Sequence, residues 1–349
     1  LKGGYIFMRR EHTKKSHTVR NTILIVLAVI LLGGGIYGFR KYQNVKNAVD
    51  NTYSSAGIKK QRNTNSLLNG KKPISILLMG TDTGALGRSY KGRTDSMMVV
   101  TINPKTKKTT ITSIPRDLGV TIPGYESKSP SKINAAYAFG QAGTAIKTVQ
   151  QVFNVPIDFY VLVNMGGMEK VVDEAGGVDI TPTLSFTYDG YTFTKGVKTH
   201  MNGKKALAYS RMRYDDPQND YGRQTRQRAV LTAIISKSSS VSSLLNKDFI
   251  DSISNETKTD FTFNDLVDLA KNYRSSTGSI EETHAQGDGQ MVNGQSMEIV
   301  SNTELQRVTN FIRNGLSLEH EKTGTAALSA SSANTSDSSV EAANINAGN

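Results

Sequence analysis

The sequence predicts a layered α/β/α domain with a central mixed β-sheet, preceded by one N-terminal transmembrane helix. Three observations carry that expectation. Short apolar runs alternate with amphipathic helical stretches across residues 73–322, the pattern of helices covering a sheet. A 17-residue apolar run, Ile23 to Phe39, follows a basic segment. The tail 323–349 is too polar to bury a face, and residues 41–72 are polar with no strong period, so one domain of mixed pattern lies between them.

The N-terminal elements come first. "LKGGYIF" precedes Met8, and Lys2-Gly3-Gly4 can be encoded by AAAGGAGG, which resembles a bacterial ribosome-binding site. The expected start is therefore Met8. Residues 1–22 are expected in the cytoplasm, because Arg9, Arg10, Lys14, Lys15 and Arg20 flank the apolar run on that side. Residues 23–39 are near the lower length limit for a membrane span. A cleaved signal peptide is the competing reading. No Ala-x-Ala site closes the run, and Arg40 and Lys41 cap its outer end, which favours an uncleaved signal-anchor. Residues 40–72 read as a juxtamembrane stalk, 73–322 as an extracytoplasmic domain, and 323–349 as a disordered Ser/Ala/Asn/Thr-rich tail.

Within the domain, "ISILLMG" (74–80) is a buried strand. "SMMVVTIN" (96–103) and "KTTITSIP" (108–115) flank the turn "PKTK" and form a hairpin. "TAIKTVQQVFN" (144–154) is a helix with Ile146, Val149, Val152 and Phe153 on one face. A strand follows at 157–164, a short helix at 167–177 stopped by glycines, and a strand in "VDITP". "GKKALAYSRMR" (203–213) is helical. Asp220 can cap the next helix, which buries Ala229, Val230, Ala233 and Ile234. Residues 263–274 and 304–316 are amphipathic helices.

Net charge is +12, which calls for an anionic partner. The inferred topology puts the large domain outside the membrane, away from DNA. With no cysteine in the chain, disulfides, thiolate metal sites and a thiol nucleophile are excluded. His200, His284 and His320 lie in no motif and receive no role.

Chemistry concentrates at strand ends. Asp82 follows the first strand, where open α/β sheets place ligands. Asp95 precedes the second, with Arg93 two residues earlier. Two carboxylates at adjacent strand ends can share a hard cation such as Mg²⁺ (or Mn²⁺). Arg116 and Asp117 leave the hairpin's second strand, and Lys132 and Asn134 precede a helical stretch. The stretch "YSRMRYDDPQNDYGRQTRQ" (209–227) adds Arg211, Arg213, Asp220, Arg223 and Gln227. Arg223 and Gln227 are expected on one side of their helix and the apolar residues on the other. Arginine suits bidentate recognition of phosphate. Singly, each of these groups also fits a solvated surface, and Asp215, Asp216, Arg226 and Arg228 are read that way. Residues 144–153 and 229–235 can line an apolar slot or simply form core.

The motifs "MGTD", "GRTDSMMV", "IPRD", "KINAAYAFG", "DFYVLVN", "GGV", "YSRMR" and "DYGRQTRQ", in this order over about residues 74–240, resemble the LytR–CpsA–Psr family of Gram-positive cell-envelope proteins. The resemblance implies a phosphotransferase. Such an enzyme moves a glycopolymer (teichoic acid or capsular polysaccharide) from an undecaprenyl-diphosphate carrier to a peptidoglycan hydroxyl, forming a phosphodiester. It implies Asp82 and Asp95 as metal ligands. It places Arg93, Arg116, Arg211, Arg213 and Arg223 around the diphosphate, with Gln227, Lys132 and Asp220 alongside. Arg116, Arg93 and Asp95 are then the candidates for catalysis, and the general base stays open. The expected partners are the lipid-linked glycopolymer, peptidoglycan and the cell membrane. The alternatives are a hydrolase that releases lipid monophosphate and a non-enzymatic envelope regulator.

Overall fold

A computed structural model of the protein describes residues 43–81, 92–237, 253 and 255–328. The start at Met8, the 23–39 run and Asp82 lie outside the described residues. Among those described, no helix is long and apolar enough to cross a membrane. Contacts divide the chain into residues 1–46 and the domain from Asn47 onward. Of the first unit only residues 43–46 are described, and they are helical.

The domain is built on six strands: β1 (Ile74–Thr81), β2 (Ser96–Asn103), β3 (Lys108–Ile114), β6 (Phe159–Asn164), β11 (Thr257–Thr259) and β12 (Ser279–His284). Their order is β11-β6-β1-β2-β3-β12. β6 runs parallel to β1 and β12 parallel to β3, while the other neighbours are antiparallel. The sheet is mixed, as expected. The short pairs β4 (Gly119–Val120) with β5 (Ser131–Lys132), β7 (Val178–Ile180) with β10 (Thr199–Met201), β8 (Phe186–Tyr188) with β9 (Tyr191–Phe193), and β13 (Asp288–Val292) with β14 (Gln295–Ile299) complete the strands named here.

Strand side chains alternate between faces, and both faces of this sheet are apolar. On one, Leu77, Val99, Ile114 and Leu162 pack with Ile146, Val149, Val152 and Phe153 of helix α2 (Ala135–Phe153) and with Leu305, Val308 and Ile312 of helix α7 (Asn302–Gly315). On the other, Met98, Val100 and Ile111 meet Ile76, Leu78, Leu231 and Ile235. This second face is covered by helix α5 (Asn219–Lys237), with α3 (Met165–Glu174) and α4 (Gly203–Arg211) beside it. A separate cluster of Val172, Ile180, Phe186, Phe193, Tyr209 and Val230 ties α3, α4 and α5 to the small strand pairs. Helices α1 (Thr64–Asn69) and α6 (Phe263–Asn272) close the sheet near Ile74 and Phe159.

Three boundaries differ from the sequence reading. The stretch expected as a stalk is fastened to the domain from Tyr53 onward. Ser54 donates to the Thr259 carbonyl at 2.7 Å, Lys60 pairs with Asp260 at 3.1 Å, and Arg62 donates to the buried Asp158 at 2.9 Å. Burial raises the Asp260 carboxyl above its ordinary range, and Lys60 opposes that rise. The polar residues there are counterions of buried carboxylates, which composition alone does not distinguish from solvated ones. Residues 323–328, expected to belong to a disordered tail, are joined to the domain: Thr121 donates to the Ala326 carbonyl and Leu328 to the Gly119 carbonyl, at 2.8 and 2.9 Å. Residues 329–349 lie outside the described residues. Helix α4 ends at Arg211, with Met212 extended, so Arg213 stands on a loop.

Candidate functional site

The end of the sheet from which β1 and β6 leave also begins β2 and ends β3, because β2 is antiparallel to both its neighbours. That topology gathers Thr81, Asp95, Arg116 and Asp117 at one edge. Above it lies a cavity of about 540 Å³. Its floor is Leu78, Met98, Val161 and Val163, neighbours across β1, β2 and β6. Its walls include Met168 and Val171 of α3, Leu207 of α4, and Val230, Leu231 and Ile234 of α5. At its mouth stand Asp95, Asn164, Arg211, Arg213, Arg223 and Gln227.

Helix α5 supplies both characters on one stripe. Arg223, Gln227, Val230, Leu231 and Ile234 recur at helical spacing and all line the cavity. The expectation of charges on one side and apolar residues on the other is corrected here: they succeed one another along the same side. Residues 229–235 do contribute to an apolar slot. Residues 144–153 do not, since Ile146, Val149, Val152 and Phe153 fill the core under the opposite face.

The charged network has a definite wiring. Arg116 Nη1 donates to Asp95 Oδ1 at 2.7 Å. Its Nε lies 3.6 Å from Asp220 Oδ1 and 3.8 Å from Asp117 Oδ2, within ion-pair range but without a hydrogen bond. Lys132 Nζ pairs with Asp117 Oδ1 at 2.9 Å. Arg223 Nη2 reaches Asp220 Oδ1 at 2.7 Å and the Asp95 carbonyl at 3.0 Å. Burial pushes the Arg223 guanidinium below its ordinary pKa, and Asp220 opposes that shift. Arg116, Lys132, Arg211, Arg213 and Arg223 face Asp95, Asp117 and Asp220, so the site keeps an excess of positive charge. Arg223 Nε and Gln227 Oε1 are buried without a hydrogen-bond partner. Orphaned polar atoms beside a cavity mark places where a ligand completes the bonding.

The structure thus brings Asp95, Arg116, Lys132, Asp220 and Arg223 into one network and sets Arg211, Arg213, Arg223 and Gln227 on the cavity mouth. Arg116 and Lys132 stand behind that mouth, Arg116 reaching it through Asp95. Arg93 is exposed and does not line the cavity. Among the described residues no group of three acidic or histidine side chains could hold a metal. Asp95 is 38% exposed and offers one carboxylate, which is compatible with a hard ion that takes one or two carboxylates and fills its shell with water and phosphate.

Three residues expected as solvated charges are structural. Asp216, Arg226 and Arg228 are 8%, 3% and 5% exposed. Arg226 binds the Asp216 carboxylate and the Met212 carbonyl and stacks 5.4 Å from the Phe186 ring centroid. It thereby anchors the loop that carries Arg213. A Cβ at Gly222 would stand 1.8 Å from Asp216 Oδ2, so glycine is what lets this carboxylate approach α5. Arg228 donates to Ser113 Oγ at 2.9 Å and pairs with Glu282 at 3.3 Å. Asp215 is exposed, as expected. Sequence reading missed Asn164, Ser210 and Tyr214 at the cavity. Asn164 had a signal: it ends a strand and caps the next helix, its Oδ1 accepting from Gly167 at 3.0 Å.

Residues 37–314 match the model of the LytR_cpsA_psr family. The chain belongs to this family. A LytR_cpsA_psr relative from Enterococcus faecalis, named polyisoprenyl-teichoic acid–peptidoglycan teichoic acid transferase TagU, is 41% identical over 304 residues, covering 87% of this chain and 98% of the relative. The crystal structure of protein gbs0355 from Streptococcus agalactiae superposes with a TM-score of 0.68 at 34% identity, covering 78% of this chain and 96% of that one. A structure of TagT bound to LI-WTA superposes with a TM-score of 0.60 at 29% identity, covering 76% and 97%. The mixed sheet with flanking helices is therefore the family's architecture.

Proposed function

We propose that the protein transfers a cell-wall glycopolymer, of the teichoic acid or capsular class, from an undecaprenyl-diphosphate carrier to a peptidoglycan hydroxyl, forming a phosphodiester. The observation that carries this reading is the shape of one cavity: apolar along its floor and walls, and lined by arginines at its mouth. Such a space matches an amphiphile with an isoprenoid tail and a diphosphate head. The Enterococcus relative's name describes the same transfer.

The acceptor hydroxyl oxygen forms a bond to the phosphorus that carries the sugar, and the bond from that phosphorus to the bridging oxygen breaks. Lipid monophosphate leaves with the electron pair, and the hydroxyl proton passes to a base. The protein's task is positioning and charge neutralisation. Arg211, Arg213 and Arg223 hold the diphosphate, with Gln227 beside it. Arg116 keeps Asp95 at the mouth, and Asp220 orients Arg116 and Arg223 together. Lys132 fixes Asp117 behind them, while Arg93, on the segment before β2, adds charge from outside the cavity. Mg²⁺ (or Mn²⁺), held by Asp95 and by Asp82 from the segment after β1, supplies further charge stabilisation when bound. The apolar run at 23–39, its basic flank, and a family match beginning at residue 37 support a single-pass signal-anchor with the domain outside the cell.

The test uses the full chain, a polyprenyl-diphosphate-linked teichoic acid and peptidoglycan. The expected products are a polymer–peptidoglycan phosphodiester and lipid monophosphate. Arg116→Ala should slow transfer by about 10²–10³-fold, the usual effect of removing one preorganised charge-stabilising donor. Release of free polymer phosphate in the presence of acceptor, with no phosphodiester, would overturn the transferase reading in favour of hydrolysis.

A further inference from the structure

Tyr221 and Glu298 do not line the cavity, yet both halves of the anion site hang on their contact. The Tyr221 hydroxyl donates to Glu298 Oε1 and accepts from the Gly287 N–H at 2.9 Å. The same N–H lies 3.2 Å from Glu298 Oε1, so the three groups close a small ring of hydrogen bonds. Glu298 also grips the other side. Its backbone N–H donates to the Asp117 carbonyl at 2.8 Å, and it forms a parallel bridge with Leu118. Glu298 therefore holds the Arg116–Asp117 strand exit through its backbone and the first turn of α5 through its side chain.

That first turn is where spacing matters. Asp220, the neighbour of Tyr221, reaches both Arg116 Nε at 3.6 Å and Arg223 Nη2 at 2.7 Å. The separation of these two guanidinium groups is set by how α5 sits against the strand exit. The β13–β14 hairpin is the spacer, and Tyr221–Glu298 is its point of attachment. Stability alone is a weak reason to hold a half-buried phenol against a carboxylate, since the net gain of such a bond is small. Geometry is a stronger one, because small displacements of charged groups around a phosphoryl centre are costly. Burial, then Glu298, push the Tyr221 hydroxyl above its ordinary pKa, so it stays a donor.

We infer that Tyr221 and Glu298 are positioning residues: their contact fixes the spacing of Arg116, with the Asp95 it holds at the cavity, and Arg223, so that the site reads a diphosphate in preference to a monophosphate. This rests on the diphosphate reading of the cavity given above. The experiment titrates the full chain with geranylgeranyl diphosphate and with geranylgeranyl monophosphate, for wild type, Tyr221→Phe and Glu298→Gln. Wild type should prefer the diphosphate. Tyr221→Phe should narrow that preference about tenfold through misplacement of the arginines. Its melting temperature should stay within about 2 °C of wild type, because the two bonds lost are partly solvated and the Gly287 N–H keeps Glu298 Oε1 as an acceptor. Glu298→Gln keeps an acceptor oxygen for the phenol and should retain most of the preference. An unchanged preference in Tyr221→Phe overturns the inference, as does an equal loss for both ligands accompanied by a fall in melting temperature. A wild type without preference for the diphosphate would instead overturn the function proposed for the cavity, and this inference with it.

Discussion

On one face of the central sheet, Leu77, Val99 and Ile114 meet Val149, Phe153 and Ile312 in a filled core. On the other, Leu78, Met98, Val161 and Val163 look into about 540 Å³ of space. The residue types are alike, and β1 and β2 contribute to both sets. What differs is the covering layer. Helices α2 and α7 press large side chains onto the sheet. Helices α3, α4 and α5 stand around the opposite face, held apart by a cluster of their own built on Phe186, Phe193 and Tyr209. A hollow thus results where α3 and α4 find their packing partners in α5 and the small strand pairs, and, of the apolar side chains of α5, Leu231 and Ile235 reach the sheet.

Substitutions on the two faces should therefore behave differently. The largest effect belongs to the filled face. Phe153 is fully buried, and Phe153→Ala should cost about 3–5 kcal/mol of stability, read by urea denaturation of the full chain. A loss below about 1 kcal/mol would mean that this face is not the close-packed one. Next comes Leu78→Trp on the hollow face. Overpacking a filled core typically costs 1–3 kcal/mol, but here the larger side chain enters free space, so stability should change by less than about 1 kcal/mol. Displacing about two methylenes of lipid, at about 0.8 kcal/mol each, should weaken binding of a polyprenyl diphosphate roughly fifteenfold. A destabilised protein with unchanged lipid affinity would erase the distinction between the faces.

The smallest effect lies where the faces meet. The His284 ring stands 5.3 Å from the Tyr221 ring on the α5 side, and its carbonyl accepts from Arg307 of α7 at 2.7 Å. Burial, then Arg228, hold the His284 imidazole below its ordinary pKa. As pH falls below about 6.5, the unfolded chain takes up this proton before the folded one, so stability declines through that window and is level above it. His284→Gln should reduce the slope of the urea midpoint between about pH 7.5 and about pH 5.5. An identical slope in the variant would show that His284 carries no share of the pH dependence.

Much of this was legible in the sequence for physical reasons. The β2–β3 hairpin shows as two apolar runs around a polar turn, and Arg211, Arg213, Arg223 and Gln227 cluster within 17 residues. The stripe on α5 was not legible. Arg223 and Gln227 in line with Val230, Leu231 and Ile234 contradict ordinary amphipathicity, and the pattern makes sense only beside a space that protein does not fill. Asp216 and Arg226 looked solvated because each side chain's burial depends on the other and on Gly222. The β13–β14 hairpin had an unread signal in Asn293-Gly294, which take φ of 50° and 71°, a turn pair suited to a two-residue hairpin. Without that hairpin Glu298 had no place, and its bond to Tyr221 could not be foreseen.

Because one helix carries both the arginine end and the apolar wall, descent can treat its two halves differently. Positions 230, 231 and 234 line the bore while also packing on the helices and sheet around it, so under the proposed function exchanges among aliphatic side chains of similar size there can adapt the protein to a different isoprenoid while leaving positions 223 and 227 untouched. A lineage that changes its carrier lipid need not reinvent the chemistry, and one that alters the head group has to rework the helix start together with every strand exit wired to it. Variation among descendants of this chain should accordingly pool in the second half of α5 and thin out in the first.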